Sequence, residues 1–582
     1  MEEDEEMMED GEEWQEECTS LLPEVWLHIL SFLPPRDLAV AALTARGLGE
    51  LASLPRLWAG ATIRKITFRS LSLQHFFGLR RYSQVAVLDF SRIQLSEASL
   101  VQLLEWSLTS HLADLDLTGL NLSPVAASLL TPALLRLRRA QLGFTKLTGE
   151  QTCHLFSQAD SHRSRSFPWE LCLKAVNLSA VPPGVLARSL ARLQTANLSF
   201  TELTVDQVSS LLSLLAARGP EVRLSSLDLF SVDLSAVCPL LLARATASLT
   251  VASLSNTELR LEHCHALCDH VLHSATLLDL NLDFAELFSV PPEVLGRAMT
   301  RLDRVSLACT VLAEDQLFSL ASALALPASR VTQIDLLDLQ LSFLAPALLV
   351  AATSRLTRVN LSGSKLTPEQ ADTLLAGLDT SVLREVNLDY VLLSSCCPER
   401  LAAVTKTLHT ASMKKCGLTE QQLTVLLLAL SSPAPAFLSS LCLHGNSLAT
   451  AEPALLAAAA ASLQSLDISY CLLPPDTAAF LLSSLPTPSS SLRSLTLLGN
   501  RLGEVPCPAL RTALASSLHR LDLSSTALTS QQLEAVLEGA GPPLKELSLF
   551  SLDLASVREG VLREAEKRVF VSHRHAAITP DS

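Results

Sequence analysis

The chain is poor in aromatic residues, with 18 Phe, 5 Trp and 3 Tyr in 582 positions. Its hydrophobic share of 48% must therefore come from Leu, Ala and Val, so any core is aliphatic. Glycine is scarce as well, at 20 residues, and no glycine-rich run is present to cradle a phosphate. Long hydrophobic runs are missing. The most apolar stretches, such as Ala454–Leu463, fall well short of the roughly 20 residues that a membrane-spanning helix needs. No basic segment followed by an apolar run opens the chain, which argues against a secretory leader. The 13 cysteines lack the spacing of a disulfide framework. These absences predict a cytoplasmic or nuclear protein with reduced thiols and no membrane association.

Basic residues are not in excess either. The net charge of −15 comes mostly from the first 17 residues, which hold 11 acidic groups and no basic one. Without them the chain has 44 basic against 48 acidic residues. Residues 1–20 read as a solvated, disordered tail, and the near-neutral body is unsuited to a general nucleic-acid surface.

Catalytic groupings are also lacking. No Ser-His-Asp set occurs in a nucleophile-elbow context. The densest set of metal-type residues is His263, Cys264, His265, Cys268, His270 and His273. In the register derived below, Cys264 aligns with Val208 and Cys268 with Leu212, which turns both thiols to the core and leaves the histidines on an outer helix face. The reading is therefore no metal, no cofactor and no enzymatic activity.

What the sequence does have is periodicity. The pattern L-x-x-L-x-L-x-x-x-x-L occurs as Leu112-Leu115-Leu117-Leu120-Leu122 and again as Leu518-Leu521-Leu523-Thr526-Leu528. Eighteen copies run from Val85 to Leu544 at a mean spacing of 27 residues. Short copies of 25 or 26 residues alternate with copies of 26 to 31, so the underlying unit is a pair. The L-x-L core reads as a short strand with alternate residues inward. A helix should follow each strand. In the longer copies it opens on Thr-x-x-Gln, at Thr148/Gln151, Thr204/Gln207, Thr367/Gln370, Thr419/Gln422 and Thr529/Gln532, a reciprocal capping pair. In the shorter copies a proline stands near the helix start, as at Pro183, Pro239 and Pro292, where its missing N–H costs nothing.

The repeats resemble the leucine-rich repeats of the ribonuclease-inhibitor type, which also alternate two kinds. That resemblance implies an α/β fold, a leucine-rich-repeat solenoid or horseshoe over residues 85–570, with a frayed tail at 571–582. Its parallel strands would line a concave face open to a partner.

Residues 21–60 break the repeat. Val25, Trp26, Ile29, Leu30 and Leu33 follow helical spacing, Pro34-Pro35 ends that segment, and Asp37 can cap the next. Leu22-Pro23, Ile29-Leu30-Ser31-Phe32-Leu33, Asp37-Leu38, Arg46 and Leu57-Trp58 resemble an F-box. Gly47 and Gly49 depart from the family and should weaken the last helix by roughly 1 kcal/mol each. The resemblance implies a Skp-type adaptor and a cullin scaffold as partners, with Leu22, Pro23, Ile29, Leu30, Phe32 and Leu33 at the adaptor interface. The alternative is a helical cap on the first repeat, in a binding or inhibitor scaffold with no ligase. Residues 61–84 read as a linker or capping layer.

The function expected is therefore substrate recognition for a Skp–cullin–F-box type ubiquitin ligase. The outward strand positions carry Asp89, Asp116, Asp228, Asp283, Asp335, Asp389, Asp467 and Asp522 against Lys174, Lys414 and His444. A cargo protein with a basic surface fits that balance, and solvated strand aspartates explain it equally well. Cargo-binding candidates are Asp228, Phe230, Asp283, Asp335, Asp389 and Phe550.

Overall fold

The computed structural model describes residues 23–33, 38, 41, 46–58, 62–63, 84–91, 95–161, 170–432, 437–485 and 490–572. The acidic tail, Leu22, Pro34-Pro35, Asp37, most of the 61–84 segment and residues 573–582 lie outside them.

Two compact units divide the chain, one ending near His270 and the other running from Leu278 onward. Each is a leucine-rich-repeat solenoid. In the first, eight strands from Thr62–Ile63 to Val251–Ser253 pair in parallel, each with the next in sequence. In the second, twelve strands from Asp279–Asn281 to Phe570–Ser572 do the same. Each of the eighteen pattern copies has a three-residue strand that starts two residues after its first position, as in Leu112 and Asp114–Asp116.

In the eighteen strands of the pattern the middle residue is buried and its neighbours face outward. Leu227 and Leu361, both core positions of the pattern, are 3% and 0% exposed. In the first unit the middle residues alternate by size: Leu115, Ala140, Leu171, Ala196, Leu227 and Ala252 stand side by side in register. Large and small side chains thus interdigitate along the sheet and fill a close-packed, mainly aliphatic core to which Phe90 and Phe156 add buried rings.

The helix signals hold. Thr204/Gln207, Thr367/Gln370, Thr419/Gln422 and Thr529/Gln532 form reciprocal capping boxes, and Thr148/Gln151 makes both hydrogen bonds of one. Short helices start at Pro183, Pro239, Pro292, Pro346, Pro398 and Pro453, and Pro508 is the second residue of Cys507–Leu514. The solenoid extends beyond the pattern at its C-terminal end. Helix Glu559–Arg568 is followed by strand Phe570–Ser572, which pairs with Glu546–Ser548. Val571 and Ser572, expected in the fraying tail, are strand residues. In register with Glu546–Ser548, Arg568 stands where the pattern has its first leucine and Val571 holds the middle position, so the leucine pattern does not extend to this repeat.

At the other end, helices Pro23–Leu30 and Arg46–Ala52, the helical residues Leu38 and Ala41 and the turn Pro55–Trp58 belong to the described part of the N-terminal module. The second helix runs through both Gly47 and Gly49. Trp58 is buried and donates its indole N–H to the Ala52 carbonyl at 2.8 Å. Just beyond, Thr62–Ile63 joins the sheet edge beside Val87–Leu88.

Candidate partner-binding surfaces

Helix Pro23–Leu30 and the turn after it carry an exposed apolar stripe. Pro23, Val25 and Ile29 are exposed, and Phe32 is 75% exposed, with its ring edge-on to His28 at a centroid distance of 4.9 Å. Leu33 is half-buried. Leu30 is 2% exposed, so its side chain holds the module together and cannot line an interface without a rearrangement. Pro23, Ile29, Phe32 and part of Leu33 therefore remain as surface candidates. Such a stripe is unusual for a free surface and is the kind of feature a partner covers.

The sheet face is organised in lanes. The first outward residue of the strands carries cross-strand ion pairs: Arg139–Glu170 at 2.7 Å, Arg304–Asp279 at 3.6 Å, Arg358–Glu385 at 2.5 Å and Arg520–Glu546 at 3.2 Å. That lane is locally neutralised. The last strand residue forms a second lane, with Asp89, Asp116, Asp228, Asp335, Asp467 and Asp522, and no basic residue occupies it among the described strands.

These aspartates have a structural task. Asp228 accepts the Phe230 N–H at 3.0 Å, Asp335 the Leu337 N–H at 2.9 Å, and Asp522 the Ser524 N–H at 2.9 Å. Asn197 and Asn360 do the same for Ser199 and Ser362. The carboxylate or amide closes the turn that follows the strand, in place of a backbone acceptor. Asp283 and Asp389 lie two residues past their strands and bridge to the next repeat. Asp283 accepts from Ser306 Oγ at 2.5 Å and the Ala308 N–H at 2.8 Å, and Asp389 from Ser412 Oγ at 2.6 Å and the Lys414 N–H at 2.8 Å. Burial raises the Asp335 carboxyl above its usual range, and Asn360 and the Leu337 N–H partly offset this. Frequent aspartate on these strands is therefore first a turn-forming feature.

Beyond each turn the chain takes a left-handed residue. Gly119, Asn256, Gly363 and Gly499 are the kinds of residue expected there, with φ between +53° and +77°. Yet Phe144, Phe200, Phe284, Tyr390 and Tyr470 hold the same position with φ between +52° and +63°, and all are exposed. A bulky side chain there costs about 1–2 kcal/mol. In the first unit these rings form a row. Lys174 Nζ sits 5.3 Å from the Phe144 ring centroid and 5.1 Å from that of Phe200, and Phe200 lies 4.9 Å from Phe230. In the second unit Lys414 and Lys415 each lie 5.8 Å over Tyr390, and His444 is 5.2 Å from Tyr470. Phe550 is half-buried in the second unit, with its N–H on Ser524 Oγ at 3.0 Å. Of the cargo candidates, Asp228 and Phe230 are thus together in the first unit. Asp283 and Asp335 are near neighbours in the second, while Asp389 and Phe550 stand on other repeats of it. Phe200 and Lys174 were missing from the expected set. Their signal is an aromatic residue at a position whose φ favours glycine, and this becomes visible only with backbone angles.

The histidine cluster corrects one expectation. Cys264 and Cys268 are buried as expected, but His263 is 1% exposed and not on the outer face. Its Nδ1 accepts the Arg260 N–H at 3.0 Å and its Nε2 meets the Val237 carbonyl at 2.8 Å. Among the described residues no group of three or more His, Cys, Asp or Glu could hold a metal ion, and no helix is long and apolar enough to cross a membrane.

Comparison with known proteins identifies the head of the chain: residues 21–64 match the family model described as F-box-like. No curated protein sequence matches this chain. Among solved structures, a complex of TLR13 with ssRNA13 is similar at 16% identity and a TM-score of 0.41, covering 84% of this chain and 71% of that one. The leucine-rich repeat-containing protein LegL7 from Legionella pneumophila is similar at 19% identity and a TM-score of 0.31, covering 44% of this chain and 87% of its own.

Proposed function

We propose, from an F-box-like domain joined to leucine-rich repeats, that this chain is the substrate-recognition subunit of a Skp–cullin–F-box type ubiquitin ligase. It performs no bond chemistry of its own. The module docks on the Skp adaptor and through it on the cullin, and the repeats hold a target protein so that its lysines are near a charged conjugating enzyme. The gain is proximity, which replaces a bimolecular encounter by an effectively intramolecular one.

The observation that carries this reading is the exposed stripe Pro23, Ile29 and Phe32 within the matched residues 21–64. Large apolar side chains at such exposure are the anchors of protein interfaces. Full-length protein is expected to recover the Skp adaptor from purified components. An Ile29→Asp/Phe32→Asp variant should lose it, and the melting of the repeats should not change. Retention of the adaptor by that variant overturns the reading.

A second reading has one observation in its favour. Thr62–Ile63 extends the sheet edge directly after the module, as an N-terminal cap of a non-ligase scaffold would. It makes the opposite forecast: wild-type protein does not bind the adaptor, and loss of the module lowers the stability of the first repeats.

A further inference from the structure

We infer that the ring row of the first unit, Phe144, Phe200 and Phe230 with Asp228, is a docking site for an arginine-bearing segment of a partner protein. The inference deepens the cargo half of the proposed function and is independent of the adaptor half.

The row already holds one cation. Lys174 places its ammonium 5.3 Å and 5.1 Å from the centroids of Phe144 and Phe200, within the range where a ring face attracts positive charge. Phe200 then continues to Phe230 at 4.9 Å with an interplanar angle of 58°. Along the row the order is therefore ring, cation, ring, ring. Next to the last ring stands Asp228, whose Oδ1 accepts the Phe230 N–H and whose Oδ2 accepts Asn197 Nδ2, both at 3.0 Å. A carboxylate can accept about four hydrogen bonds, so each oxygen keeps a lone pair. Among the described residues no Lys, Arg or His forms an ion pair with Asp228. The site is thus a pair of rings beside an oriented, half-buried carboxylate, with its own lysine committed one step away.

Charge and shape select the occupant. The last-residue lane of this unit holds Asp89, Asp116, Gln141, Cys172, Asn197, Asp228 and Ser253 in order, and no basic residue. An arginine side chain satisfies both parts of the site. Its planar guanidinium stacks on a ring and forks onto a carboxylate, and it is shed from water more readily than an ammonium.

The test uses the full chain and short labelled peptides in which serine alternates with arginine, lysine or citrulline, read by fluorescence anisotropy. The arginine peptide is expected to bind most tightly. Asp228→Asn keeps the acceptor for the Phe230 N–H and removes the charge, together with the Oδ2 acceptor of the Asn197 amide. It and Phe230→Leu should each weaken arginine-peptide binding about tenfold, a difference near 1.4 kcal/mol. Asp522→Asn, in the second unit, should leave it unchanged. The inference is overturned if Asp228→Asn acts no more strongly than Asp522→Asn, if Phe230→Leu binds like wild type while melting like wild type, or if the citrulline peptide binds as well as the arginine one. Adaptor recovery by the full chain reports on the N-terminal module and not on the ring row, so either result can fail without the other.

Discussion

His263 reaches the carbonyl of Val237, 26 residues earlier, with its Nε2 at 2.8 Å. In six other repeats that contact belongs to a glutamine. Gln151, Gln207, Gln316, Gln370, Gln422 and Gln532 each send Nε2 to two carbonyls of the preceding repeat, at 2.5 to 3.0 Å. The Oε1 of each glutamine meanwhile takes the N–H at the start of its own helix, as with Thr204 at 2.9 Å. One buried side chain thus caps a helix and staples two repeats. Imidazole does both jobs with its two nitrogens, Nδ1 accepting and Nε2 donating.

This equivalence predicts that His263→Gln folds normally and melts at or above the wild-type temperature, because glutamine can reach the Leu234 carbonyl as well as that of Val237. His263→Ala should lower stability by about 2–4 kcal/mol, since a buried carbonyl and a helix N–H both lose their partner. Thermal unfolding of the two variants measures the difference. A His263→Gln variant as damaged as His263→Ala would show that the histidine has a task that glutamine cannot do.

Ala313 precedes helix Glu314–Ala325 and occupies the position of the capping threonine. The Gln316 half of the box is present, with Oε1 accepting the Ala313 N–H at 2.8 Å, while the Gln316 N–H turns to the Asp315 carboxylate at 2.9 Å. Ala313→Thr supplies the missing hydroxyl and should stabilise the protein by about 1 kcal/mol. The melting temperature checks this, and no change would mean that Asp315 already does the full work of the cap.

The period, the strands and the helix starts were legible because each is a local rule. Buried aliphatics two apart, a capping pair and a proline at a helix start depend on the residue and its near neighbours. The sheet-face site was less legible. Asp228 and Phe230 were picked out by register, but the contacts that give them meaning come from Asn197 and Phe200, on the preceding repeat. Aspartate looked like a charge for a partner when its first task is closing a turn. His263 looked like an outer-face residue because pattern alignment fixes which residues share a position, and only packing shows that a histidine can stand where glutamine does. Leu30 fell on the helical face toward the interior, a face that family resemblance does not distinguish from the docking face.

Cys416 and Cys471 occupy the position that Thr145, Thr201, Thr310 and Thr526 fill elsewhere. The threonine hydroxyls donate to a carbonyl three residues back, whereas the two thiols point to the preceding repeat, at Leu388 O (3.1 Å) and Leu443 O (3.3 Å). Burial pushes both thiols up to about 12. The unfolded chain releases these protons near the ordinary thiol value and the folded chain holds them. Folded stability should therefore be intact at neutral pH and fall as pH rises from about 9 toward 12, by about 1.4 kcal/mol per thiol per pH unit. A Cys416→Thr/Cys471→Thr variant should match wild type at neutral pH and lose less stability in alkali. Denaturant midpoints across that range test the slope, and identical slopes would refute the assignment.

Tyr470 lays its ring on Gly499 of the next repeat. A Cβ built on Gly499 would meet the ring carbons at 2.3 to 2.7 Å, closer than any side chain can approach. Gly499 also has φ +72°, where an alanine is strained by about 1 kcal/mol or more. Gly499→Ala should therefore be destabilising for two separable reasons, a backbone cost and a clash. Tyr470→Ala should remove the clash and leave the backbone cost, so the double variant is expected to be more stable than the sum of the single changes. The sign of that coupling is what the melting temperatures of the four proteins test. Simple additivity would mean that the ring moves aside freely and that its place on Gly499 is not held by packing.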